Sequence, residues 1–209
     1  MLSALGGTQP SSNTNKANLA ADILDVTERL LTRFGYAKMT VDDIAQAAGI
    51  GKGSVYLHFR SKEEVVLSLV DRSVREVFSR LRAIADDGHL SASDRLRKML
   101  TARVLERVFR FRRYAASLYD LLAAIRPALV AQRGQQLDEE AGIFEAVIRE
   151  GVRSKEFRAV AAGAAASALL DATNSLLPYY LSPRQLGAAK ELEERIAEVA
   201  KLLLGGLAR

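Results

Sequence analysis

Apolar residues recur every three or four positions through nearly the whole chain, and no stretch alternates apolar with polar residues over a strand's length. The pattern predicts an all-α protein of about nine helices. The first carries Leu19, Ile23, Val26, Leu30, Leu31 and Phe34 on one stripe and ends at Gly35, a natural C-terminal cap. Two short helices follow. Thr40, with Asp43 three residues on, is a capping-box-like start for 41–48, where Val41, Ile44, Ala45 and Ala48 share a face. Gly49-Ile50-Gly51 interrupts the chain, and 52–59 forms the next helix. Ser61 with Glu64 makes a full capping box, opening a long helix from Lys62 to about Ala85 along Val66, Leu69, Val74, Val77, Leu81 and Ile84.

After Asp86-Asp87-Gly88 the periodicity restarts at Ser91 and runs to about Leu122, with a bend near Arg112 to Tyr114. Pro127 suits the first turn of a helix over about 127–152, and an Ala-rich helix follows from about Val160 to Tyr180. Ser182-Pro183-Arg184-Gln185 combines an N-cap, a first-turn proline and a capping Gln, opening a last helix to about Leu204.

The 209 residues suffice for one or two domains with a buried core. Residues 1–15 collect Ser, Thr, Asn, Gly and Pro and read as a flexible tail. Residues 16–62 then form one domain and 63–209 a second. The longest uncharged stretch, Ala159–Leu170, falls short of the ~20 apolar residues of a bilayer span, so no membrane partner is expected. No basic start precedes an apolar run, and the chain has no Cys, which makes the cytoplasm the expected compartment.

Without Cys, with two His, and with no Gly-rich phosphate loop, the sequence offers neither a thiolate nucleophile nor a supplied zinc site. An enzyme is not expected, and no cofactor or metal is called for.

The first three predicted helices, with a Gly-containing turn between the second and third, have the layout of a helix-turn-helix. Ala45 and Gly49 lie where two helices approach closely, with Ile44, Val55 and Phe59 filling the small core beneath. Lys52, Ser54, Tyr56 and His58 then point away from it. Positive, hydroxyl and aromatic groups at a helix N-terminus suit phosphates and base edges in a major groove.

The run from Thr40 through Ile44-Ala45, Ala48-Gly49-Ile50-Gly51, Gly53, Tyr56, His58-Phe59 and Ser61-Lys62-Glu63 resembles the DNA-binding signature of TetR-type transcriptional regulators. The resemblance covers about residues 17–66; beyond them only the number and layout of helices agree. It implies a double-stranded DNA operator as partner, with Thr40, Tyr56, His58 and Lys62 on phosphates and Lys52, Gly53, Ser54 and Leu57 toward bases. It also implies that the remainder binds a small-molecule effector and dimerises. Gly51 departs from the pattern: the family usually has a capping Ser there, so a hydroxyl able to reach phosphate is gone.

Charge adds little to that picture. Residues 1–65 hold 7 Lys+Arg against 7 Asp+Glu, so any basic surface there comes from arrangement, with Asp22, Asp25 and Glu28 facing away from DNA. The whole excess of +5 falls in 66–158, where 18 basic residues meet 13 acidic ones. Eight basic residues and one acidic one, Glu106, lie between Arg95 and Arg113. Three readings stay open for that cluster: a solvated flank whose Arg stems cover apolar surface, long-range attraction to DNA, or pairing with an acidic effector.

Phe109, Phe111, Tyr114, Tyr119, Phe144, Asn174 and Tyr179 are candidates for an apolar ligand cavity with polar anchors. In the last helix Leu192, Ile196, Val199 and Leu203 form a stripe, and Leu176 and Leu177 follow the Ala-rich segment. Packed across a two-fold axis, these residues predict a four-helix interface in a homodimer, which pairs two half-sites on DNA. Together the features predict a sequence-specific homodimeric repressor released by a small-molecule effector. The alternatives are an adaptor with a purely structural helix-turn-helix, and an activator on the same fold.

Overall fold

Helical periodicity is realised throughout a computed structural model that describes residues 12–113, 118–181 and 183–208. Among the described residues the helices are α1 (Ser12–Phe34), α2 (Val41–Ala47), α3 (Lys52–Tyr56), α4 (Lys62–Ala85), α5 (Ala92–Arg112), α6 (Leu118–Arg153), α7 (Ala162–Asn174), α8 (Pro183–Gly187) and α9 (Ala189–Gly205). A 3-10 turn lies at Pro178–Tyr180, and the one β-pairing described is an isolated bridge between Phe157 and Ala208. The fold is all-α. No helix of the described residues is long and apolar enough to cross a membrane.

The chain divides into two compact units, Met1–Leu69 and Val70–Arg209. In the first, α2 packs against both α1 and α3. Ile23, Val26 and Leu31 of α1, Ile44 of α2 and Val55 of α3 are all buried, as are Met39, Val65 and Val66. In the second, α5 lies centrally against α6 and α9, and α7 packs on α6 and α9. One cluster there gathers Leu81, Leu96, Met99, Phe144, Ile148 and Leu170; another gathers Val104, Val108, Phe111, Leu186, Leu192 and Ile196.

Several elements differ from the sequence expectation. Helix α1 begins at Ser12, so residues 12–15 of the expected tail are helical; once a helix is nucleated, each added residue gains a hydrogen bond even where side chains are polar. Residues 1–11 lie outside the described residues. Phe34, assigned to the buried stripe, is 46% exposed, beneath the Arg33 guanidinium.

The continuous helix expected to Leu122 is two, since α5 ends at Arg112 and α6 starts at Leu118. Pro127 sits inside α6 rather than in a first turn. A mid-helix proline removes one backbone bond at a cost of about 3 kcal/mol. Buried Leu121 and Ile125 on one side and Phe144 and Val147 on the other hold the helix through it, while Ala123, whose carbonyl loses its partner, is exposed.

The Ala-rich helix stops at Asn174, before Pro178, whose missing N–H cannot extend it. The expected last helix is divided at Ala188 into α8 and α9. Leu186 and Leu192 are both buried, and six residues on one continuous helix would put them on different faces; the break turns both inward.

Candidate DNA interface and ligand cleft

The N-terminal unit presents the short helix α3 from a fixed frame. Thr40 caps α2: its Oγ1 accepts from the Asp43 N–H at 3.2 Å, and the Asp43 carboxylate accepts from the Thr40 N–H at 2.8 Å, closing the capping box. Hydrogen bonds from Thr40, side chain first, hold the Asp43 carboxyl below its usual range. At the turn, Gly49 has φ +67°, and a Cβ there would meet nothing within 4 Å. The expected reason for this glycine, close helix approach, is therefore replaced by another: the left-handed backbone favours glycine. Gly51 caps α3 with extended backbone and no side-chain bond.

Beyond Gly51, Lys52 and Gly53 are exposed, and Ser54 is half-buried. Tyr56 and Leu57 stand out at 47% and 76% exposure, whereas Val55 and Phe59 are buried beneath. Lys52 Nζ donates to Asp42 at 2.7 Å, and that bond raises the affinity of the ammonium for its proton. His58 is half-buried, its ring centroid 6.2 Å from that of Phe59.

Lys62 has a different post from the one the resemblance implies. Its Nζ donates to the carbonyls of Tyr36 (3.1 Å) and Met39 (3.0 Å) and lies 4.1 Å from the Tyr36 ring centroid, so it braces the segment after α1 rather than facing outward. Ser61 Oγ accepts from the Glu64 N–H as expected. The reciprocal half of that box is altered: the Glu64 carboxylate accepts from the Arg60 N–H at 2.5 Å. Tyr36 donates to Glu63 at 2.7 Å. This hydrogen bond holds the Glu63 carboxyl low, while burial, with Glu63, pushes the Tyr36 phenol up.

The C-terminal unit contains a cleft that is open to solvent on one side. Val74 of α4, Arg103 and Arg107 of α5, and Leu122, Arg126, Leu129, Val130, Arg133, Gln136, Leu137 and Glu140 of α6 line it, with Leu177 and Tyr180. Arg103 is fully buried. Its Nε donates to Glu140 Oε1 at 3.0 Å, Nη1 to Thr173 Oγ1 at 2.7 Å and Nη2 to Asn174 Oδ1 at 2.7 Å. Arg107 Nη1 donates to the same Glu140 oxygen at 3.0 Å and to the Arg103 carbonyl. Burial works against the Arg103 charge, Glu140 supports it, and Arg107 and Arg133 oppose it.

The Arg95–Arg113 cluster is thus not simply a solvated flank. Arg95, Arg103 and Arg107 are buried, and Arg95 pairs with Glu150 at 2.7 Å. Arg97 and Arg112 remain exposed, and Arg110 pairs with Glu76.

The residues expected around a ligand are mostly elsewhere. Phe144 is fully buried in the core and Phe109 is half exposed; neither lines this cleft. Asn174 stands behind it as a partner of Arg103. Tyr114 lies outside the described residues, and nothing is described of the Tyr119 side chain. The proposed interface stripe is corrected too: Leu176, Leu177, Leu192 and Ile196 are buried in their own chain, and Val199 and Leu203 pack partly against the same cores. The apolar stripe of an amphipathic helix first satisfies its own domain, which leaves Leu202, at 76% exposure, on the free side of α9.

Arg126, Arg133, Gln136 and Glu140 were missed. A signal existed in the sequence: Arg126, Arg133 and Glu140 recur every seven residues, interleaved with Leu129, Val130 and Leu137, which places charge on an apolar helix face.

Residues 23–69 match the family model described as bacterial regulatory proteins, tetR family, and residues 89–204 match the tetracyclin repressor-like C-terminal domain. The HTH-type transcriptional regulator TtgR of Pseudomonas putida is 36% identical over 81 residues, covering 38% of each chain. The matches to the first curated relatives span less than two fifths of those proteins' length, 38–39%. A TetR/AcrR-family regulator from Thermobifida fusca superposes with a TM-score of 0.66 at 27% identity, covering 92% of this chain and 100% of its own. A transcriptional regulator from Cytophaga hutchinsonii shares the fold with a TM-score of 0.73 at 21% identity, covering 90% and 97%.

Proposed function

The chain belongs to the tetR family of bacterial regulatory proteins, DNA-binding transcription regulators rather than enzymes, and from that premise we propose a homodimeric cytoplasmic repressor released from its operator by a small-molecule effector. The domain reading is a DNA-binding unit over about 16–62 followed by an effector and dimerisation unit.

The observation that carries the DNA-binding half is the exposure of Tyr56 and Leu57 on a helix whose opposite face is buried through Val55. A monomeric core gains nothing from leaving a leucine 76% exposed beside a lysine and an open glycine, whereas a major groove offers thymine methyls and phosphates to such a surface. In this reading Lys52, Gly53, Ser54 and Leu57 face bases, and Thr40, Tyr56 and His58 face phosphates. Lys62 acts indirectly, by fixing the frame.

Dimerisation uses the outward faces of α7 and α9, around Ala164, Ala168 and Leu202, in place of the buried leucines. The effector occupies the cleft. Helix α4 supports a transmission route: it supplies Val65 and Val66 to the N-terminal core and Val74 to the cleft wall. An effector that prefers one position of α4 changes the separation of the two reading heads in the dimer, and the heads then miss their half-sites.

The test is fluorescence anisotropy of the purified protein on the DNA flanking its own gene, over a salt series, against a scrambled duplex. Specific binding exceeds the control by at least about 10³ and weakens steeply with salt. Equal, weak binding to that DNA and to every other promoter fragment of the genome would return the helix-turn-helix to a structural role and favour the adaptor reading.

A further inference from the structure

We propose that the cleft of the C-terminal unit takes an amphiphilic organic anion, with a carboxylate or phosphate head held by Arg126 and Arg133 and an apolar body against Leu129, Val130 and Leu137. The inference rests on the effector reading of this cleft and names the chemical class of its occupant.

The argument starts from the charges on the wall. Among the described residues, four guanidiniums line the cleft against a single carboxylate, Glu140. Arg103 and Arg107 share that carboxylate through one oxygen, at 3.0 Å each. Both are buried, so this trio by itself leaves one positive charge unmatched away from water, where an unmatched charge is costly. Thr173 and Asn174 satisfy hydrogen bonds of Arg103 but contribute no charge.

Arg126 and Arg133 add two more cations, and neither forms an ion pair with a described residue. Arg133 donates to the Tyr180 hydroxyl at 3.1 Å and lies 5.6 Å from that ring's centroid, which orients its fork while leaving its charge unneutralised. Its field already opposes the charge of Arg103.

Such a wall repels a cationic effector and gives a neutral one no return for the excess charge. An anion supplies the missing counter-charge, and guanidiniums match carboxylate and phosphate oxygens bidentately. The apolar part follows from the same helix. Leu129, Val130 and Leu137 alternate with the two arginines along α6, so a head group at Arg126 and Arg133 brings its attached chain against them. Val130 is 64% exposed, apolar surface that an occupant would cover.

The test is isothermal titration of the full chain, without DNA, with saturated carboxylic acids of about six to twelve carbons, the matching alkyl phosphates and the matching primary alcohols. The acids or the phosphates bind at least about tenfold more tightly than the alcohol of equal length, and the stronger of the two series identifies the head group. An Arg126→Gln/Arg133→Gln variant, shown folded by an unchanged thermal melt, loses that preference while its affinity for the alcohol stays within about twofold. Alcohols binding as well as the anions, no anion binding at any chain length, or an unchanged preference in the double variant would each overturn the inference. Anion binding that leaves operator affinity unaltered upholds it, and counts instead against the effector reading.

Discussion

Arg103 Nε and Glu140 Oε1 meet at 3.0 Å with side-chain exposures of 0% and 4%, and Arg107 reaches the same oxygen from one helical turn further along α5. Replacing Glu140 by Gln keeps the shape and removes the one negative charge that the described residues place on the cleft wall. Taking one partner from a buried pair costs about 3–5 kcal/mol, much of it the penalty of the stranded charge. Urea unfolding followed by far-ultraviolet circular dichroism, chosen because the chain has no Trp, should show a loss of that size in Glu140→Gln. A loss below about 1 kcal/mol would mean that water reaches the guanidiniums and that the trio is not sealed.

The pair also marks where sequence reading stops. Helices whose ends are set by local chemistry were legible: Thr40 with Asp43, and the start of α4 at Lys62, are written in capping residues. The packing face of the N-terminal unit was legible too, because Ile44, Val55 and Phe59 are apolar residues inside a short, recognisable spacing. Arg103 and Glu140 are 37 residues apart and carry side chains normally found outside, so nothing local announces that they are buried together. The apolar stripe of α9 was visible as a stripe, yet whether it faced its own chain or a second copy depends on α5 and α8, which the stripe itself does not reveal.

Asp42 holds Lys52 at 2.7 Å on the surface proposed to meet DNA. With both side chains half exposed or more, solvent screens the pair and it adds little to stability. In a complex the carboxylate competes with phosphates for the ammonium and faces them itself. Asp42→Asn should therefore bind operator and random duplex more tightly by similar factors, with an unfolding midpoint close to that of the parent. Anisotropy titrations at two salt concentrations check this; weaker binding by Asp42→Asn would show that Asp42 positions Lys52 for base contact.

Gly51 begins α3 at φ −73°, ψ 148°, a conformation open to any residue, and a Cβ there meets nothing within 4 Å. Gly51→Ser should stabilise the protein by a few tenths of a kcal/mol through the new cap, and tighten DNA binding if its hydroxyl also reaches phosphate. Paired thermal melts and operator titrations separate the two effects. A destabilised Gly51→Ser protein would mean that α3 does not start where the backbone places it.

Tyr36 and Glu63 tie the segment after α1 to α4 at 2.7 Å, and their shifts act at opposite ends of the pH scale. The Glu63 carboxyl is held low, chiefly by the Tyr36 hydroxyl, so its contribution is present above the ordinary carboxylate value near 4 and is lost as pH falls through its folded value. The Tyr36 phenol is pushed up, chiefly by burial, so its contribution is complete below about 10 and declines as pH rises beyond that. Tyr36→Phe should flatten the alkaline limb and also shrink the acid limb of Glu63, whose folded value returns toward the unfolded one, read by circular dichroism melts from about pH 3 to 11. An alkaline limb unchanged in Tyr36→Phe would assign that loss to other groups.

Leu202 is 76% exposed on α9, on the side away from buried Leu192, Ile196 and Ala200. A large apolar side chain on the free face of an otherwise charged helix is the position where a second copy is proposed to dock, together with the small residues Ala164 and Ala168 of α7. Leu202→Glu puts a charge on that face without touching the chain's own core, so monomer stability should change by no more than about 0.5 kcal/mol. Light scattering after size-exclusion chromatography should then show the parent as a dimer and Leu202→Glu shifted toward monomer. Operator affinity should fall with it, because one reading head engages a single half-site. A Leu202→Glu protein that stays fully dimeric would move the interface to another surface of the C-terminal unit.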